Sequence, residues 1–270
     1  VITLREKKTT KLHRHSWRDV GAYSARNSSK GALIDETARV FQAVATGTPL
    51  DDVREQVFRG PLLSQRSFQN RKRIWTTISH RYLVKNEPWL EQALADTSQL
   101  GAHSVEFTSL LYLLYALRDH LTFDFVTETL WPKGHRTRPA ITRNDIVDVL
   151  AAAMADQPQI ERWSEATRMK LAGSILTALR DFGVLEGMQK KFLVQPPLPL
   201  STAEILLRIL VQEGCRGRQI LESPTWRLFL LGDSEVIQVI SKLASEGIIR
   251  FEKAGSTVVL ETPVAWESES

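Results

Sequence analysis

Apolar residues recur at helical spacing along most of this chain, and in its last third that period gives way to strand-like runs. Asp233 to Gly247 reads as one helix, with Asp233 or Ser234 as its cap and Gly247 as a left-handed stop. Two short runs follow, Ile248–Glu252 and Thr257–Glu261, joined by Lys253-Ala-Gly-Ser256 with glycine where a hairpin needs it. Helix, glycine, strand, tight loop and strand make the pattern of a winged helix. Such units mostly bind nucleic acid or serve as protein-docking modules.

The same reading applied upstream predicts helices over about 31–46, 51–58, 64–84, 87–97, 104–118 and 120–131. Gly47-Thr-Pro49 and Gly60-Pro61 act as breakers. In the first helix Leu33, Ala38, Val40, Phe41 and Val44 turn inward. At 100° per residue, Phe68, Trp75, Ile78 and Tyr82 share the apolar face of the 64–84 helix. Arg66, Asn70, Arg73, Thr77 and Arg81 share the opposite face. Arg71 falls among the apolar group, which predicts an internal salt bridge or a hydrogen bond to a carbonyl. This helix–helix–long helix unit has the skeleton of a helix-turn-helix domain.

From Thr142 the order repeats. Thr142 and Asp145 resemble a capping box and start a helix to about Ala155. A short element at 158–163 follows, then a longer helix capped by Ser164 and ended by Gly183. Strand-like pieces at Val184–Glu186 and Phe192–Gln195 flank a second, smaller wing carrying Lys190 and Lys191. Pro196-Pro-Leu-Pro199 reads as a linker. Helices at 202–213, 216–222 and 234–246 then lead into the last wing, and 264–270 reads as a frayed tail. The expected architecture is mainly α, a helical bundle with helix-turn-helix and winged-helix units and two small β-wings. Its parts are a flexible basic arm (1–20), an N-terminal helical domain (21–131) and winged-helix-like units at 140–196 and 200–263.

Composition narrows the class. With 43% hydrophobic and 24% charged residues the chain reads as an ordinary globular protein. Its one cysteine, Cys215, rules out an internal disulfide or a cysteine zinc cluster, and a reducing cytoplasm fits. The most apolar run, Leu110–Leu117, is closed by Arg118 and Asp119 and is too short for a bilayer, so no membrane partner is expected.

Charge carries more information than composition. Residues 1–90 hold 17 Lys and Arg against 8 Asp and Glu, whereas residues 91–131 hold 1 against 6. Residues 132–197 are again basic and 198–270 acidic. A polyanion would prefer the first third, through the 66–81 face and the arm residues Lys7, Lys8, Lys11 and Arg14. A solvated basic surface is the bland alternative.

Catalytic patterns are missing from the sequence. The 6 histidines never adopt HExxH spacing. Gly214-Cys-Arg-Gly-Arg218 lacks the ending of a phosphate-binding P-loop, and no GxSxG elbow occurs. His13 and His15 would bind a metal only weakly. The expectation is therefore no catalytic residue, no metal and no cofactor. The C-terminal candidate helix presents Glu235, Gln238, Ser241, Lys242 and Ser245. It is not strongly basic, although Arg216, Arg218 and Arg227 lie nearby, so DNA contact and protein docking both stand for that unit.

Several segments together carry a family resemblance: Tyr23-Ser-Ala-Arg26, Lys30-Gly-Ala-Leu33, Glu36-Thr37 and the Ser67…Arg71…Arg81 helix. Asp124-Phe125, Trp163-Ser164 and Phe182-Gly183-Val184-Leu185 follow in order. The ordered set resembles the BrxA family of BREX (bacteriophage exclusion) defence systems. The resemblance implies a small, non-enzymatic helical protein with winged-helix units that binds double-stranded DNA. It also implies work alongside other BREX proteins, among them a methyltransferase, an ATPase and a phosphatase-like component. Tyr23 is expected to anchor the arm on the core. The predicted function is phosphate-directed duplex binding with little sequence preference, through Arg66, Asn70, Arg73, Thr77 and Arg81 with help from the arm and from Lys190 and Lys191. An adaptor whose wings dock other defence components is the competing reading.

Overall fold

A computed structural model of the chain describes residues 17–60, 62–64, 67–83, 87–134, 138–255 and 257–266. Lys7, Lys8, Lys11, Arg14 and Arg66 therefore lie outside the described residues.

The helix that is apolar on every side takes the centre, because only complete burial suits it. This is α5 (Val105–Leu117), in which Phe107, Leu110, Leu111, Tyr112, Leu113, Leu114 and Tyr115 are all buried. The amphipathic helices α1 (Ile34–Ala45), α2 (Leu50–Arg59), α3 (Phe68–Ile78) and α4 (Pro88–Gln99) are arranged in two pairs. α1 lies on α4 and α2 on α3, and α4 in turn packs on α5. After α3 the helix widens into a π turn, Ser79–Leu83, which also rests on α5. A second widened stretch, Phe125–Leu130, links α6 (His120–Asp124) to α7 (Trp131–Gly134).

Next comes β1 (Ala140–Ile141), a two-residue strand that the sequence pattern does not reveal. α8 (Arg143–Ala152) starts where expected, since the Thr142 amide and hydroxyl both donate to Asp145 Oδ2, at 2.8 and 2.9 Å. α9 (Glu165–Asp181) is capped by Ser164, which accepts from the Thr167 amide, and Gly183 follows it at φ 79°. β2 (Leu185–Glu186) and β3 (Lys191–Leu193) form the expected hairpin, but β2 omits Val184 and β3 starts one residue earlier and ends two earlier than the apolar run suggests. The small antiparallel sheet has the order β1-β3-β2, with Ala140 opposite Phe192 and Leu185 opposite Leu193.

The remainder comprises α10 (Leu200–Gln212), α11 (Arg218–Leu221), a 3₁₀ turn (Pro224–Phe229) and α12 (Asp233–Ser245). β4 (Arg250–Ala254) and β5 (Thr257–Glu261) close the chain, pairing from Arg250–Glu261 to Ala254–Thr257. α12 begins one residue earlier than expected. Gly232 takes the cap position, and its amide donates to Glu235 Oε2 at 2.8 Å. Gly247 adopts the expected left-handed conformation at φ 73°.

Two expectations need correction. The 264–270 stretch contains a 3₁₀ turn, Val264–Trp266, and Trp266 is buried, because its indole finds apolar surface within the core cluster. The proline run 196–199 is packed on the core. Pro196 is buried, and the Pro197 carbonyl accepts from the Ser109 hydroxyl of α5 at 2.9 Å. Overall the fold is mainly α with two small antiparallel sheets, as the pattern predicts. Among the described residues no helix is long and apolar enough to cross a membrane.

Candidate nucleic-acid interface

α3 carries three basic residues, Arg71, Lys72 and Arg73, with Gln69, Asn70, Thr76 and Thr77, and the packing around it decides which of them meet solvent. Ser67 caps the helix by accepting from the Asn70 amide, and Ile74 and Ile78 anchor it inward. Arg71 behaves as its wheel position predicts. Its Nε and Nη2 donate to the Phe58 carbonyl at 3.2 and 2.8 Å, tying α3 to the end of α2. Phe68 departs from the expectation of burial. It is 49% exposed and meets Phe58 edge-on at 5.8 Å, so only one side of its ring is covered by α2.

The predicted basic face separates into three kinds of environment. Arg73 is exposed, while Asn70 and Thr77 are half-buried. Asn70 Oδ1 accepts from the Lys30 ammonium, and the Thr77 hydroxyl donates to the Arg73 carbonyl at 2.9 Å. Arg81 does not belong to that face, being only 2% exposed. Its Nη2 and Nε donate to Asn27 Oδ1 at 2.7 and 3.1 Å, and its Nη1 to the Gly31 carbonyl at 2.8 Å. The guanidinium also lies 4.7 Å from the centre of the Tyr115 ring. The wheel placed Arg81 toward water, but residues 26–32 fold back over the end of the helix and enclose it. Lys72, not singled out by the wheel, is exposed beside Arg73, and Gln69 and Thr76 are exposed with them.

That covering segment makes the site. A cleft of about 640 Å³ opens between residues 26–30 and α3, with Arg26, Lys30, Lys72, Arg73 and His80 in its walls and the buried Arg81 and Asn27 behind. No Asp or Glu lines it among the described residues. Arg26 Nη1 and His80 Nε2 are 2.5 Å apart, so the ring must be neutral and accept there. Burial, followed by the charge of Arg26, pushes the His80 imidazole below its ordinary value. On the far side of the same segment a shallower cleft of about 560 Å³ is lined by Arg143, Lys170, Ser174 and Thr177. Gly173 leaves space for the Arg143 side chain, since a Cβ there would stand 3.0 Å from Arg143 Nε. Residues 28–31 are thus a ridge between two basic depressions, and Asp181 stands at the edge of the second, its Oδ2 within 3.6 Å of where a Cβ on Gly31 would lie.

The wing residues are elsewhere. Lys190 is exposed, and Lys191 donates to the Met188 carbonyl at 2.9 Å. Met188 itself is 73% exposed at the hairpin tip, with Arg180 Nη1 3.2 Å from its sulfur. Neither lysine lines the clefts.

In the C-terminal unit the nearby arginines are engaged. Arg218 pairs with Glu222 at 2.6 Å and Arg250 with Glu252 at 2.8 Å. Arg216 Nη1 donates to the Val211 and Cys215 carbonyls. Arg227 lies over Trp131 at 4.3 Å and 3.5 Å from Glu128.

A second polar constellation is structural. The Tyr23 hydroxyl donates to Asp124 Oδ2 at 2.7 Å, Arg18 bonds Asp124 Oδ1 at 3.1 Å, and His120 Nε2 reaches Oδ2 at 3.1 Å. Burial pushes the Asp124 carboxyl up. Hydrogen bonds from His120 and Tyr23, with the charges of His120 and Arg18, outweigh that and hold it below the ordinary carboxylate range. Tyr23 is buried and pins the start of the described chain to α6, as expected. Among the described residues no cluster of His, Cys, Asp or Glu is arranged to hold a metal ion.

No curated protein matches the chain. A solved structure does, the crystal structure of an uncharacterized protein from Magnetospirillum magneticum. It superposes with a TM-score of 0.60 at 17% identity, covering 78% of this chain and 100% of that one. At that identity the likeness concerns the fold. The family model described as BrxA matches residues 21–209, a span that holds the ridge, both basic clefts and the first hairpin. The chain belongs to the BrxA family and is thereby tied to BREX phage defence.

Proposed function

We propose that this chain is a non-enzymatic, cytoplasmic double-stranded DNA-binding component of a BREX system, gripping the duplex mainly through phosphates with little sequence preference. The observation that carries the reading is the basic surface flanking the 28–31 ridge, with Lys72 and Arg73 on one side, where no described Asp or Glu lines the cleft, and Arg143 and Lys170 on the other. Lysine and arginine without carboxylate neighbours remain available to phosphate oxygens. α8, α9 and the β2–β3 hairpin supply a winged-helix arrangement in which Lys190 and Lys191 add a wing contact, and Lys7, Lys8, Lys11 and Arg14 an arm contact. Arg81 has no part in the grip, since all its described donors serve the protein interior.

Reversing Lys72 and Arg73 to Glu tests this by gel-shift titration on unrelated duplexes at several salt concentrations. Binding should weaken for every sequence, and the log–log salt slope should fall by about 0.9 per lost phosphate contact. A double variant with parental affinity and slope would remove α3 from the interface.

For the C-terminal unit the adaptor reading is favoured by a separate observation. Its arginines are spent on Glu222, Glu252 and backbone carbonyls, which leaves an acidic surface better suited to a basic protein partner than to DNA. The other BREX proteins are the natural candidates for that partner.

A further inference from the structure

The cleft behind the ridge is concave and of small-molecule size, a shape that the convex backbone of a duplex does not fill. Its volume of about 640 Å³ falls inside the range of small-ligand pockets, roughly 300–1,000 Å³. Four cationic side chains, Arg26, Lys30, Lys72 and Arg73, converge on it with no carboxylate among the described lining residues. The Thr76 and Thr77 hydroxyls donate to helix carbonyls at 2.9 Å, so toward the cleft they offer lone pairs. Amino groups of a base are suited to such acceptors.

Backbone strain points to the same place. Lys30 stands at φ 92°, a conformation that costs a non-glycine residue of order 1–3 kcal/mol, and Gly31 and Leu33 are also left-handed at 51° and 57°. A glycine would take the Lys30 conformation without that cost. The lysine side chain is nevertheless present, aimed across the cleft mouth at Asn70 Oδ1. Bonds from Arg81 to the Gly31 and Ala32 carbonyls fix the segment that carries it.

We propose that this cleft is a binding site for a nucleoside polyphosphate, with Arg26, Lys30 and Arg73 holding its phosphates and the Thr76 and Thr77 hydroxyls facing its base. Because Lys72 and Arg73 also belong to the duplex surface proposed above, bound nucleotide and duplex exclude each other. The site itself does not depend on the duplex reading.

Titration calorimetry on the intact chain at physiological salt tests it, using ATP, inorganic triphosphate, adenosine and a blunt duplex as separate probes. ATP should bind more tightly than about 1 mM. Arg26→Ala and Lys30→Gly should each weaken it at least tenfold, while Lys30→Gly keeps or raises the melting temperature. Arg39→Ala, on the exposed face of α1, should leave ATP binding as in the parent. ATP should also displace the duplex. Triphosphate binding as tightly as ATP would identify the polyphosphate alone as the ligand and overturn the base contact. ATP binding tighter than both triphosphate and adenosine supports the whole site. Failure of ATP and triphosphate to bind, or equal losses in Arg39→Ala and the cleft variants, overturns the proposal even if the duplex still binds. Nucleotide binding without duplex binding would instead overturn the DNA reading and leave this one standing.

Discussion

Arg73 and Arg81 belong to one helical run and have opposite fates. Arg73 meets water, whereas Arg81 is enclosed with the buried carboxyl of Asp119 nearby. Burial holds that carboxyl above its ordinary value, and hydrogen bonds from Thr122 and Asn27, with the charge of Arg81, offset only part of the rise. Removing Arg81 would leave Asn27 Oδ1, two backbone carbonyls and Asp119 without their cation. Arg81→Ala should therefore cost about 3–5 kcal/mol in urea unfolding, while Arg73→Ala should stay within about 0.5 kcal/mol. Similar costs for the two would mean that the burial of Arg81 contributes little. The inward role of Arg71 was legible from its wheel angle. That of Arg81 was not, because the wheel contains no information about a covering segment fifty residues upstream, where Asn27, Gly31 and Ala32 supply its partners.

Elements were more legible than individual exposures. The Thr142–Asp145 box, the Ser164 cap and the Gly247 stop all act where the sequence places them, because each works within one turn of its own helix. β1 was invisible, since two residues carry no period and Ala140–Ile141 becomes a strand only by pairing with Phe192 and Lys191. The β2–β3 hairpin also depends on one glycine. Gly187 stands at φ 95°, and a Cβ there would lie 2.1 Å from the Lys190 carbonyl oxygen. Gly187→Ala should cost more than about 1 kcal/mol and shift the tip that carries Lys190 and Lys191. A lower melting temperature, with loss of the cross-strand nuclear Overhauser contact between Glu186 and Phe192, is the expected record. An unchanged melt and contact would show that the loop can be rebuilt without glycine.

At the scale of the molecule the C-terminal elements and the family-matched region share one core. The Tyr112 hydroxyl of α5 donates to the Leu228 carbonyl at 2.7 Å, and Trp131 Nε1 to the Leu231 carbonyl at 2.8 Å. Glu213 Oε1 accepts from the Trp17 and Arg18 amides, so the start of the described chain is joined to the end of α10. Trp226 and Phe229 are fully buried, each worth about 1.5–3 kcal/mol of apolar burial. Truncation after Gln212 should abolish the single cooperative transition in calorimetry, although the BrxA match ends at residue 209. A truncated chain that melts cooperatively near the parental temperature would show the last elements to be an independent module.

The order of helices, most of their ends, the two hairpins and the concentration of positive charge in the first third were all legible in the amino-acid order. These depend on interactions within a few residues or on composition. Which cations face water, the closing of the 26–32 segment over α3 and the basic cleft between them emerge from long-range packing instead. Those outcomes arise where distant parts of the chain compete to cover one another, and the period of a single helix does not encode its neighbours.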